Sequence, residues 1–490
     1  MRRLFASVSL AAGLACVWAG CTSSSPSMQN PTPPQASTAS VNLSIQDTPP
    51  NGVTILQFQI QVTAASLTPS ATGQSPVSML SSPQEVELVG HQTEPAFLAN
   101  ASVPAGQYTG LTAMFASPEM TIFNETGQTL TVGGQNCANN QLCTLTPTLN
   151  QATVTIQAPT SPFPLTLSAT SPVALLLHFD VNASVEGDLS VTPTVSLFQL
   201  NIPPTAVPQH THYFGTVTAV SSPTFTLQTA FGNNTVTITT DSNTRYHFGQ
   251  ACTMDNFSCI MDGQVLKVRA NVMSDGTIEA TDVAILAPRG QPSVEGTIIA
   301  VNAAQNQFQL VINDCQCPSP QCAHVNLGAG LVVQLTSSAT FTIDMDDITL
   351  PSGLSFASIS DLMVGQSVSF QPQLPVSVSG SGGNIQFTVT ASAVQLEPSQ
   401  LTATVSAVNA MASPPNFDLN MLSPLFVMAG INTIQVDTVS GTDFENISGI
   451  GALTTGQVVS VQGLLFNTAT QPTMVAEQVM QRGNGSVWPQ

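Results

Sequence analysis

Reactive side chains are few in this 490-residue chain, and most are cysteines. Cys137 and Cys143 lie in CANNQLC, and Cys252 and Cys259 in CTMDNFSC. Both loops are polar and Asn-rich. In an oxidising compartment such close pairs read as local disulfides. A third group, CQCPSPQCAH, holds Cys315, Cys317, Cys322 and His324. Three thiolates and an imidazole at loop spacing can converge on Zn²⁺. The competing reading closes Cys317 on Cys322 across a loop bent by Pro318 and Pro320, and leaves Cys315 open to alkylation. Cys315 and Cys317 alternate on a strand-like segment and so point to opposite faces, which opposes a shared metal. Oxidation outside the cytoplasm also competes with metal capture, so the disulfide is preferred.

Other candidate ligands are sparser. His210 and His212 in QHTHYF alternate as a Cu²⁺ or Ni²⁺ chelate would need, at a junction where an exposed linker is the plainer reading. Asp47, beside a Pro turn, and Asp180, directly after the apolar run VALLLHF, together offer oxygen ligands for Ca²⁺. Each carboxylate equally caps a turn through backbone N–H groups. His178 reads as a packed or surface side chain. Asp344, Asp346 and Asp347 in DMDD raise the calcium question again, without the glycine-containing loop and bidentate Glu of a calcium loop. No nucleophile elbow, HExxH or phosphate-cradling loop is present. Neither enzymatic activity nor a cofactor is expected.

The elements that must position these residues begin with an export signal. Residues 1–20, MRRLFASVSLAAGLACVWAG, place two arginines before an apolar run too short to span a bilayer. The small residues before Cys21 resemble a bacterial lipobox, with Trp18 where an aliphatic residue is usual. That resemblance implies lipidation of Cys21, a membrane attachment, and an outer-membrane destination in the cell envelope. Residues 21–40 are an uncharged Ser/Thr/Pro-rich tether. The chain carries 7 basic and 27 acidic residues, a net charge of −20, and loss of Arg2 and Arg3 with the signal makes it more acidic still. Such a chain repels nucleic acid, so that partner is excluded, while an envelope protein or a polysaccharide stays open.

With 42% hydrophobic and only 7% charged residues, and with Val and Thr prominent, the chain is expected to be all-β with packed cores. Residues 41–205 contain seven or eight short apolar runs separated by Gly, Pro and Asn turns, the pattern of a β-sandwich. This segment resembles a family of unknown function found in exported bacterial lipoproteins, through Asp47-Thr48-Pro49, VPAGQYTGL from Val103 and LLLHFDVNASV ending at Val185. The resemblance implies an architecture and no activity.

The second half repeats itself. GTVTAV at Gly215, GTIIAV at Gly296 and ATVSAV at Ala403 each open five strand signals with a Gly-Gln turn before the fourth. A repeat of this length is a domain duplication, and five short alternating strands close most economically as a small OB-like β-barrel. The expected units are 206–290, 291–398 with the Cys-rich loop, and 399–490, each folding by itself. They resemble a second family of unknown function, repeated barrel modules of exported bacterial proteins. The fold class is thus an N-terminal β-sandwich followed by three OB-like barrels. The expected role is that of a non-catalytic envelope lipoprotein, probed against the alternative of an envelope metal-binding protein using its His and Cys loops.

Overall fold

The computed structural model describes residues 38–48, 54–89, 96–169, 173–200, 210–229, 235–248, 252, 254–273, 277–316, 322, 325–344, 348–379 and 386–482. Among these, almost every element is a strand, as the β-branched composition demands. No helix of the described residues is long and apolar enough to cross a membrane.

The N-terminal unit is a sandwich of two sheets. One has the spatial order Val195–Leu200, Val173–Asp180, Thr38–Thr48, Ala96–Pro104, with Thr38–Thr48 parallel to Val173–Asp180. The other is built on the long antiparallel pair Thr54–Pro69 and Gly106–Phe123. In VALLLHFD the first five residues are all buried, so the strand is covered on both faces, as an unbroken apolar run requires. Phe179 of this strand meets Phe58 and Phe115 of the facing sheet edge-on, at ring separations of 6.0 and 5.6 Å. All three rings are fully enclosed, which joins the two sheets into one core.

The three repeats form three rings of one wiring. In barrel 3 the order is Ser399–Asn409, Asn416–Asn420, Ile434–Glu445, Thr473–Gln481, Val458–Phe466, then back to the first strand. The third and fifth strands run parallel and the other neighbours antiparallel. Barrels 1 and 2 close the same way, through Thr235–Thr239 on Ile278–Ala287 and Gly330–Ile343 on Gln386–Glu397. In barrel 1 the closing pair is short, only Ile238 and Thr239 against Ile278 and Glu279. Strict alternation drives this closure: in Ser399–Asn409 the residues 399, 401, 403 and 405 are buried and their neighbours are half-exposed.

The repeated Gly-Gln turn has a local cause. Gly263, Gly365 and Gly456 have φ of +82°, +87° and +88°, a conformation that strains any other residue. The following glutamine folds back, its Oε1 accepting the backbone N–H three residues earlier: Met261 at 2.7 Å, Met363 at 2.7 Å and Thr454 at 3.0 Å. The dipeptide backbone then exchanges two hydrogen bonds with one residue of the first strand, Val217, Ile298 or Val405. The turn therefore fastens the first strand to the fourth in all three barrels.

The barrels do not stand apart. Leu464, Phe466 and Val475 of barrel 3 belong to the hydrophobic cluster of barrel 2. The buried Gln366 of barrel 2 donates to the Leu465 carbonyl of barrel 3 at 2.8 Å. On the sandwich side, Leu56, Val311 and Leu425 make one cluster drawn from the sandwich, barrel 2 and barrel 3. Thr121 of the sandwich donates to the Gly328 carbonyl of barrel 2 at 2.8 Å. Independent folding of each repeat is therefore not what this packing supports, because barrels 2 and 3 share a core.

Candidate functional site

The strongest concentration of chemistry lies where barrel 1, barrel 2 and the sandwich meet, and it is built outward from the wall of barrel 2. In its first strand, Ser293–Asn302, Val294 points into the core and Glu295 points out. Glu295 stands opposite Asp314 of the second strand, Gln307–Gln316, and opposite Ser369 of the fourth, Ser367–Phe370. A bulge between Glu295 and Gly296 resets the register, so that Asp314 faces out while Ile312 stays in the core. Glu397, fully enclosed at the end of the fifth strand, accepts a hydrogen bond from Ser369 Oγ at 2.6 Å. The result is a row of three carboxylates across the outer face of one barrel.

Barrel 1 supplies the counter-charge. Lys267, in Val265–Val272, is the only lysine in the chain. Its Nζ lies 2.7 Å from Glu397 Oε2 and 3.7 Å from Glu295 Oε2. Burial pushes the Lys267 amine down, but the charges of Glu295, Glu397 and Asp344 outweigh it and hold the amine well above its ordinary value. Burial pushes Glu397 up, yet Lys267, Ser369 and Asp344 together keep it below the usual carboxylate range. This pair is ionised on both sides. The sandwich contributes Glu87, a buried carboxylate whose Oε1 accepts the backbone N–H of Phe58 and Val89 at 3.0 Å each.

Asp314 is the misfit of the row. Its Oδ1 is enclosed and accepts no hydrogen bond. Burial and the Glu295 charge raise its carboxyl well above the ordinary range, with Glu87 adding to them and the Cys315 N–H and Lys267 opposing.

A second cluster lies on barrel 1. Arg245 grips the buried Asp282 with two nitrogens, at 2.8 and 3.0 Å, and His247 Nε2 lies 3.4 Å from the same carboxylate. Burial raises Asp282, but hydrogen bonds from His247 and Arg245 dominate and hold it far below its ordinary value. The strand Arg245–His247 also pairs with Ile278–Ala287, so this fork secures the barrel wall.

Of the residues singled out in the sequence, Asp344 and Cys315 adjoin the junction at Lys267, and the other described ones lie elsewhere. Cys137 is joined to Cys143 and Cys252 to Cys259, with Cα separations of 5.8 and 6.0 Å that suit a disulfide. Cys322 is disulfide-bonded and buried, while Cys317, His324, Asp346, Asp347 and Cys21 lie outside the described residues. Asp180 does what a turn-capping carboxylate does: its Oδ1 accepts Ala183 N–H at 3.0 Å and starts the short helix Val181–Ser184. Asp47 lies in Thr38–Thr48, opposite Phe179. His210 and His212 fall within the strand His210–Ser221, opposite Asn271 and Arg269, and not in a linker. The side chains of Asp47, His210 and His212 are outside the described set. No group of three or more His, Cys, Asp or Glu suited to a metal ion occurs among the described residues. Asp344 of DMDD is turned inward, where its backbone N–H bonds to the Leu396 carbonyl and its carboxyl to Glu397.

Cys315 is the one free cysteine among those described, and its thiol donates weakly to the Val325 carbonyl at 3.6 Å. The sequence left Cys315 unpaired and open to alkylation; it is unpaired, and its surroundings disfavour the thiolate. Burial, with the Asp314 charge, pushes the thiol up to about 12 from 9.0, which leaves roughly 10³-fold less thiolate than an ordinary cysteine at mild pH. Iodoacetamide at pH 8 should therefore leave Cys315 unmodified in the native protein and modify it once the chain is denatured. Rapid native labelling, read by peptide mass spectrometry, would contradict this placement.

Lys267, Glu295, Asp314 and Glu397 were not singled out by sequence. The available signal was Lys267 itself: one lysine in a chain this long, placed in the apolar strand QVLKVRANV, must have its charge met by something.

Compared with known proteins, residues 38–193 match the family described as domain of unknown function DUF4382, and residues 214–284 match domain of unknown function DUF5666. No curated protein matches the chain. Among solved structures, one described as drosophila Unr CSD456 aligns over 56% of this chain and 98% of its own, at 11% identity and a TM-score of 0.13, too slight a likeness to bear on the fold.

Proposed function

We propose that this chain is a non-catalytic protein of the bacterial cell envelope, exported and held at the outer membrane by a lipid on Cys21. Its sandwich and barrels act as one scaffold that spaces or binds an envelope protein or polysaccharide. The observation that supports this reading is where the scarce charged side chains are used. The only lysine joins barrel 1 to barrel 2 through Glu397, with Glu87 of the sandwich beside the junction. Thr216 of barrel 1 likewise bonds to Gln316 of barrel 2 at 3.1 Å. Groups of this kind in an enzyme would converge on a space for substrate; here they fasten one module to the next. The acidic balance of 27 acids against 7 bases argues against a nucleic-acid role despite the small barrels.

The anchor can be tested directly. Cys21→Ser should move the protein from the membrane fraction to the soluble fraction of the same cells. A variant that still sediments with membranes as the parent does would end the lipid-anchor reading.

A further inference from the structure

Thioethers dominate the exposed apolar surface of this protein. Among the described residues, the exposed large apolar side chains are six methionines and three valines, with no Leu, Ile or Phe. Leu and Met are close in volume and apolarity, so positions that merely tolerate an exposed apolar group would hold both. Five of the methionines are more than half exposed: Met411 at 100%, Met421 at 79%, Met254 at 60%, and Met261 and Met428 at 56% each. A second set, Met79, Met120, Met363, Met474 and Met480, is buried at 5% exposure or less.

The exposed set occupies places where the backbone asks for another residue. Met411 lies in the turn between the strands Ser399–Asn409 and Asn416–Asn420, and Met254 in the loop before the short helical turn Phe257–Cys259. Met261 stands two residues before Gly263 of the Gly-Gln turn. Met421 has φ of +54°, a left-handed conformation that Gly or Asn adopts more readily. Met428 ends the helix Pro424–Met428, whose Leu425 and Phe426 are buried. Turns favour small polar residues for backbone reasons, so the methionines there serve neither the turn nor a core. Their distinctive group is the sulfur.

We propose that Met254, Met261, Met411, Met421 and Met428 form a reversible oxidation surface, which takes up peroxide-class oxidants and leaves the buried methionines reduced and the fold unchanged. The thioether sulfur attacks a peroxide oxygen: the S–O bond forms, the O–O bond breaks, sulfur is oxidised by two electrons, and the peroxide is reduced to water. The product is a polar sulfoxide. In a core it disrupts packing, but on these turns it faces solvent and displaces nothing. A methionine sulfoxide reductase restores the thioether, two thiols being oxidised to a disulfide as the oxygen leaves as water. The role goes beyond the scaffold reading and is independent of the lipid anchor.

The experiment treats the full native chain with hydrogen peroxide in limiting steps, maps sulfoxides by peptide mass spectrometry, and follows thermal unfolding of the same samples by circular dichroism. The five exposed methionines should convert first and completely. Met79, Met120, Met363, Met474 and Met480 should stay thioethers meanwhile, and the melting temperature should stay that of the untreated chain. In the denatured chain both sets should react alike, which assigns the difference to the fold. A variant combining Met254→Leu, Met261→Leu, Met411→Leu, Met421→Leu and Met428→Leu should lose the fast phase of peroxide consumption. If that variant does not fold, the mapping on the parent decides the matter by itself. Equal rates for the two sets in the native chain, or a fall in melting temperature once only the five are oxidised, would overturn the proposal. So would a fast phase retained in the folded variant.

Discussion

Replacing Lys267 by Met is expected to destabilise the fold by about 3–5 kcal/mol. The substitution removes the cationic partner of a carboxylate with no exposed surface and leaves the Glu397 charge uncompensated there. Its remaining support is the Ser369 hydroxyl at 2.6 Å and the Asp344 carboxyl. The double variant Lys267→Met with Glu397→Leu should recover most of the loss, because a buried pair replaced by apolar groups of similar volume is often neutral. Denaturant midpoints by circular dichroism check both statements. If the single variant loses less than 1 kcal/mol, the pair is not a clasp, and if the double variant loses as much as the single one, packing rather than charge explains the effect.

Acidification should destabilise the sandwich through His178, by an amount approaching ~3 kcal/mol between pH 6.5 and 4. His178 stands in the strand Val173–Asp180 with its ring edge-on to Phe198, 6.2 Å away. Burial lowers its pKa to about 4 from 6.5, with the Arg482 charge acting in the same direction and Asp180 opposing. The folded state therefore holds a neutral imidazole while the unfolded state takes a proton. Stability is complete above pH 6.5 and is lost as pH falls toward 4. His178→Gln should flatten the slope over that interval, measured by melting temperature against pH. An unchanged slope would place the acid sensitivity elsewhere.

Much of the architecture was legible in the chain because it is written locally. A strand declares itself by alternation over a few residues, and the Gly-Gln turn by a glycine that must take positive φ and a glutamine that bonds back three residues. Three copies of that signal sufficed to predict three barrels, and the turn explains why the same residues recur. Short-range cysteine pairs follow the same logic, since six or seven residues suffice to bring Cys137 to Cys143 and Cys252 to Cys259. The cap at Asp180, one of the two readings its position allowed, is local in the same way, its partner lying three residues on.

What the sequence could not decide was which side of each barrel would be covered, and by what. Glu295 and Glu397 look like ordinary outward positions of alternating strands, and outward means solvent only if no neighbour docks there. Lys267 meets Glu397 across 130 positions of sequence, and Thr121 meets Gly328 across 207. No periodicity carries such a pairing, because it depends on how rigid bodies pack after their strands have formed. The conversion of Asp314 from a surface acid to an enclosed one, and of Cys315 from a spare thiol to a protected one, follows from that packing alone. Composition and spacing set the elements; burial of their outer faces set the charge states, since a carboxyl group's proton affinity is fixed by what replaces the water around it.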